Sequence, residues 1–126
     1  MPENSLVILI CDDSMLMRKK LKESLSLCGS INILEATNGQ QSVDIYKEKK
    51  PDLVFMDIVM PVKDGLQAVA EIKAFDKNAK VVMASSSGTK DNLMKAIKAG
   101  AFEFIQKPWE QEQISGIINN FIKKGE

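Results

Sequence analysis

An α/β domain built on a parallel sheet is predicted by three observations. Five short apolar runs alternate with five segments of helical period along the 126 residues. The runs are rich in Val, Ile, Leu and Phe without strict polar alternation, which suits strands covered on both faces. No linker, repeat or low-complexity tract interrupts the series, and 44% hydrophobic with 27% charged residues is an ordinary globular balance.

The elements follow in order. The first strand is read over 6–11, Leu-Val-Ile-Leu-Ile-Cys. A helix then starts near Ser14, with Met17, Leu21, Leu25 and Cys28 on one stripe and Gly29 as its stop. The second strand, 31–35, leads to a helix after Asn38-Gly39 that carries Val43 and Tyr46 and ends before Pro51. The third strand, 53–57, leads to a helix that opens near Asp64-Gly65 and carries Ala68, Val69 and Ile72. The fourth strand, 80–84, precedes a helix over 90–99 that Gly100 stops. The fifth, 102–106, precedes a helix with Ile114, Ile117, Ile118 and Phe121 at i, i+3, i+4 and i+7. That helix stops close to the last residue, so one domain over 1–126 is expected, with no room for an output domain.

Composition excludes several chemistries. Seventeen basic and seventeen acidic residues balance to zero net charge, which argues against direct binding of nucleic acid. The histidine count is zero, so no Ser-His-Asp triad, histidine base or histidine metal site is possible. Two cysteines are too few for a disulfide framework. Cys11 and Cys28 read instead as small buried hydrophobes in a reducing cytoplasm. No apolar run approaches the ~18 residues of a membrane span, and residues 1–5 carry no basic leader region.

In open α/β sheets, sites form beyond the carboxyl ends of the strands. Those ends carry Asp12-Asp13, Asp57, Ser85-Ser86-Ser87 and Lys107-Pro108. Asp12 and Asp13 by themselves fit ordinary helix capping. Asp57 directly follows Leu-Val-Phe-Met, and a lone buried carboxylate costs several kcal/mol, so it requires a partner or a cation. Three carboxylates without Cys or His ligands suggest a hard divalent ion such as Mg²⁺. Lys107, set before a proline and after Phe-Glu-Phe-Ile-Gln, reads as an anion ligand. Ser85 offers a hydroxyl, although turn chemistry alone would account for it.

The whole pattern resembles the receiver domains of two-component response regulators. It rests on Ile10-Cys11-Asp12-Asp13, Glu35-Ala36-Thr37-Asn38-Gly39, the run from Pro51 to Pro61 with Asp64-Gly65, Val81-Val82-Met83-Ala84-Ser85, Ala99-Gly100-Ala101 and Lys107-Pro108. The resemblance implies a doubly wound, flavodoxin-like fold with five parallel strands in the order 2-1-3-4-5. It implies that Asp57 accepts a phosphoryl group from a partner's phosphohistidine, on a sensor histidine kinase or a histidine phosphotransfer protein. Mg²⁺ would be held by Asp13, Asp57 and the Val59 carbonyl, with Asp12 acting through water. Lys107 would pair with the phosphoryl group or Asp57. Ser85 would be the switch hydroxyl and Phe104 the aromatic that moves with it. The fourth helix, fifth strand and fifth helix would bind an output protein. The closest likeness within the family is to stand-alone, CheY-type chemotaxis regulators: cytoplasmic proteins that catalyse only their own phosphorylation and dephosphorylation.

Four positions depart from the family pattern: Ser86 replaces Ala, Trp109 replaces Phe, Phe104 replaces Tyr and Lys63 replaces an apolar residue. Trp109 reads as a packing anchor, and Lys63 is expected near the site mouth. The Lys107–Pro108 bond is expected to be cis, which aims Lys107 back over the strand ends. Met15 and Leu16 fall off the inward stripe of the first helix. Beside Pro108 and Trp109 they offer a docking rim for the donor, or else a local cover for the loops. A phosphorelay intermediate has the same architecture. An aspartate-nucleophile phosphatase would carry a second acid two residues after the nucleophile, where this chain has Val59. A flavin carrier would need a phosphate loop where this chain has Asp-Asp-Ser-Met-Leu. A docking module that is never phosphorylated would not need the full acidic and basic set.

Overall fold

The computed structural model describes residues 6–29, 31–86 and 89–125, the side chains of 123–125 excepted. Residues 1–5, Ser30, Ser87, Gly88 and Glu126 lie outside that set, and with Ser87 part of the Ser85-Ser86-Ser87 strand-end reading. The chain runs β1 (Leu6–Cys11), α1 (Met15–Ser26), β2 (Ile31–Ala36), α2 (Gly39–Lys49), β3 (Leu53–Asp57), α3 (Gly65–Phe75), β4 (Val81–Ser85), α4 (Lys90–Ala99), β5 (Glu103–Gln106) and α5 (Gln111–Gly125). The five strands are parallel in the order β2-β1-β3-β4-β5. The sequence order reverses at β1, so β1 and β3 diverge into crossovers on opposite sides and leave a cleft at their carboxyl ends.

The lack of strict alternation in the strands has its cause here. Successive side chains point to opposite faces, and both faces of the central strands are buried. Leu9, Val54, Met56, Val81 and Met83 meet Val43, Ala68, Val69, Ile72 and Ala96 on one face. Ile8, Ile10, Phe55, Val82 and Ile105 meet Leu21, Leu25, Ile114, Ile117 and Ile118 on the other. The edge strands differ: in β2 and β5 most residues are only partly covered, because each has a neighbour on one side alone.

Helix starts are set by caps. Ser14, Asn38, Asp64 and Thr89 each accept the amide three residues ahead, and Asp64 with Gln67 closes a reciprocal capping box. Gly100, at φ 91°, ends α4 in the left-handed region that a side chain disfavours. Cys28 corrects the reading of α1. The helix ends at Ser26, so Cys28 is half-buried in the following turn, its Sγ near the Ser24 carbonyl (3.6 Å) and Ser115 Oγ (3.8 Å). The Lys107–Pro108 bond is cis.

Candidate functional site

The site is assembled where β1, β3, β4 and β5 end. Asp12 follows the last residue of β1, and its amide still donates to the Ala36 carbonyl at 3.1 Å. Its Oδ1 accepts the Ser14 amide at 2.9 Å, while Ser14 caps α1. Ser14, rather than either aspartate, therefore caps α1, and Asp12 closes the turn before it. Asp13 is left exposed beside them. Asp57 is the last residue of β3, opposite Ala84 in the ladder, and is only 9% exposed.

One oxygen from each of Asp12, Asp13 and Asp57 falls within 4.8 Å of the others. The Lys107 ammonium reaches over them, 2.6 Å from Asp12 Oδ2 and 3.3 Å from Asp57 Oδ1. Its shorter contact is thus with Asp12. The Lys107 amide donates to the Ser85 carbonyl at 2.8 Å, which continues the β4–β5 ladder and fixes where the lysine departs. Burial holds the Asp57 carboxyl above the ordinary carboxylate value; Lys107 pulls it down, and Asp12 and Asp13 push it up. Three carboxylates thus face one ammonium, with oxygen donors only. That donor set fits a hard divalent cation that neutralises the remaining charge.

The other expected site residues separate by face. Ser85 is buried at the end of β4 and pairs with Gln106, while Phe104 pairs with Met83. By strand parity Ser85 and Phe104 share the face that holds Met83, the one covered by α2, α3 and α4. Ser86 is exposed and opens onto the opposite side. There a groove of about 660 Å³ runs between α1 and the start of α5, lined by Met17, Leu27, Ser86, Pro108 and Trp109. Trp109 packs on the α1–α5 core, and its indole N–H donates to Ser24 Oγ at 3.2 Å. Val59 turns its side chain to solvent two residues beyond Asp57.

Met15 (75% exposed) and Leu16 (61%) stand at the start of α1. Met15 borders a different hollow, with Arg18, Ile33 and Glu35, so the expected docking set is divided across the helix. Lys63 does not open onto the acidic cluster. Its ammonium pairs with Glu71 on α3, and its carbonyl accepts the Gly39 amide at 2.9 Å. Two contributors are not read as site residues from the sequence. Gly65 donates its amide to the Ile58 carbonyl at 2.7 Å, and a Cβ there would overlap the Asp57 carbonyl. Arg18 donates to the Asp12 carbonyl at 2.7 Å. The Asp64-Gly65 pair signals only a helix start, and nothing local marks a contact from Arg18 back across the strand end.

Known proteins resemble this chain over nearly its full length. A chemotaxis protein CheY of Halobacterium salinarum is 44% identical over 115 residues, 91% of this chain and 95% of its own. The CheY of Bacillus subtilis is 45% identical over 112 residues, 89% of this chain and 93% of its own. A chain in the crystal structure of the CheX-CheY-BeF3-Mg²⁺ complex from Borrelia burgdorferi superposes with a TM-score of 0.87 at 32% identity, covering 93% of this chain and 89% of that one. The family model of the response regulator receiver domain matches residues 8–119. Strand order, acidic cleft and full-length similarity agree, and the chain belongs to the response regulator receiver family, as a homologue of the chemotaxis regulators.

Proposed function

We propose that this chain works as a phosphoryl-accepting switch of one module, residues 1–126, with Asp57 as its phosphoacceptor. The observation that carries this reading is Asp57 itself: a buried carboxylate at a strand end, clustered with two others under a lysine. The donor is a phosphohistidine on a sensor histidine kinase or histidine phosphotransfer protein, since this chain has no histidine. An Asp57 oxygen attacks phosphorus, an O–P bond forms, and the N–P bond breaks with its electron pair leaving on the imidazole nitrogen. Water later hydrolyses the acyl phosphate to carboxylate and inorganic phosphate, so the chain catalyses only its own cycle.

The remaining residues orient and neutralise. Asp13, Asp57 and the Val59 carbonyl would hold Mg²⁺, with Asp12 acting through water, and the ion would supply positive charge to the phosphoryl oxygens. The related Borrelia complex contains Mg²⁺ together with BeF3, which supports that assignment. Lys107 shifts from its Asp12 contact toward the added oxygens. The Ser85 hydroxyl hydrogen-bonds them, and Phe104, on the same face, moves into the space released. Leu93, Met94 and Ile97 on α4 and Ile122 on α5 are exposed, and this apolar surface meets the output protein. The donor docks around the starts of α1 and α5, on Leu16, Pro108 and Trp109, with Met15 reaching it from the other side of α1. Two free thiols, and the lack of any membrane-length helix among the described residues, are in keeping with a cytoplasmic site of action.

Mass spectrometry after incubation with a small phosphodonor and Mg²⁺ tests the assignment. One phosphoryl group is expected on the wild type and none on Asp57→Asn. A labelled Asp57→Asn chain refutes Asp57 as the acceptor.

A further inference from the structure

Arg18 stands outside the acidic cluster, yet it grips the main chain that carries two of its members. Its side chain is 13% exposed on α1. One guanidinium nitrogen, Nη1, donates to the Asp12 carbonyl at 2.7 Å, and Nε donates to Glu35 Oε1 at 2.8 Å. Glu35 is fixed by the sheet, opposite Ile10 in the β1–β2 register, and its second oxygen takes Lys22 at 3.0 Å. The Asp12 amide is held by Ala36, the next residue of β2. β2 therefore restrains Asp12 on both sides, directly at the N–H and through Arg18 at the C=O.

The Asp12 carbonyl belongs to the rigid peptide plane that leads into Asp13. Turning that plane redirects the Cα–Cβ bond of Asp13, whose exposed side chain has no packing to orient it. We propose that Arg18, braced on Glu35, is a positioning residue for the Asp12–Asp13 pair and sets the cation affinity of the site through the Asp12 carbonyl. The inference rests on the metal-binding reading above. The planar guanidinium reaches the carboxylate and the carbonyl with two N–H groups in fixed relative orientation, whereas the rotatable donors of an ammonium do not fix that geometry.

Charge and geometry make opposite forecasts here. Removing a positive charge near three carboxylates strengthens cation binding if charge is all that matters. Losing the grip on the peptide weakens it. The probe is Mn²⁺, an oxygen-seeking divalent ion whose free form is counted by electron paramagnetic resonance, added to wild type, Arg18→Met, Arg18→Lys and Asp13→Ala. We expect Arg18→Met to bind ten- to a hundredfold more weakly than wild type, the usual effect of losing a partner that orients metal ligands. Arg18→Lys, with the charge kept, is expected to be about tenfold weaker. A metal-free thermal melt accompanies each variant. If Arg18→Met is unfolded, Arg18→Lys decides the matter. Unchanged affinity in Arg18→Lys, or tighter binding in a folded Arg18→Met, overturns the proposal. A wild type that does not bind Mn²⁺, or that binds no better than Asp13→Ala, overturns the metal reading instead.

Discussion

Val62 occupies the left-handed region at φ 67°, which a β-branched side chain strongly disfavours. The Lys63 amide donates to the Pro61 carbonyl at 2.7 Å, so Val62 is the centre of a three-residue turn in the loop after Asp57. Such a conformation costs about 1–3 kcal/mol, and glycine would remove the cost while adding roughly 0.4–1 kcal/mol of chain entropy to the unfolded state. Val62→Gly is therefore expected to raise stability by about 1 kcal/mol, read from the urea midpoint at unchanged slope. A lower midpoint would mean that the side chain contributes packing, although it is 82% exposed. Leu16 makes a second test at this scale. A charged residue there should slow transfer from the protein donor and leave labelling by a small phosphodonor intact. If both rates fall together, the substitution acts on the site or the fold, and Leu16 is not a docking residue.

α2 and α3 are clasped at their carboxyl ends. The Tyr46 hydroxyl donates to Asp76 Oδ2 at 2.8 Å, and Phe75 lies edge-on to the Tyr46 ring beneath Lys47 and Lys50. The Tyr46 bond, then the Asn78 amide, holds the Asp76 carboxyl below its usual value. A lowered folded-state value means stability that is present above the ordinary carboxylate pKa and lost as pH falls through the folded one. Tyr46→Phe should cost about 1 kcal/mol at pH 7, and the gap to wild type should close in acid as Asp76 protonates. A gap independent of pH would assign the effect to packing.

The elements themselves are largely legible in the sequence. β1 and β3 have the bounds read from the sequence: Asp12 lies just past the apolar run of β1, and Asp57 closes β3 just after Leu-Val-Phe-Met. β4 lies one residue later than its apolar run suggests: Ser85 looks like loop chemistry, but its ladder pairing with Gln106 is a contact between distant strands. β5 starts one residue after Phe102 for the same reason: the ladder, not the apolar run, sets its start at Glu103. Asp12, Asp13, Asp57 and Lys107 can be gathered because strand ends share one rim. Arg18 and the Lys63–Glu71 pair cannot, since side-chain reach between elements leaves no local pattern.

At the scale of the molecule, the rim joins two separate cores, and the proposed switch requires a change at Asp57 to reach α4. Adding BeF3 and Mg²⁺ is expected to alter amide hydrogen exchange in α4, β5 and α5 more than in α2. Changes confined to the loops after β1 and β3 would leave the switch unsupported. β4 is the partition in this scheme. Ser85 faces the α2–α4 core with Phe104, whereas Ser86 opens onto the α1–α5 groove with Pro108 and Trp109. Adjacent residues at one strand end thus serve different sides. If the groove receives the donor and the exposed side of α4 the output protein, as proposed, a lineage can repaint the one without touching the other. Duplicated copies of such a chain can diverge in what they hear while still saying the same thing.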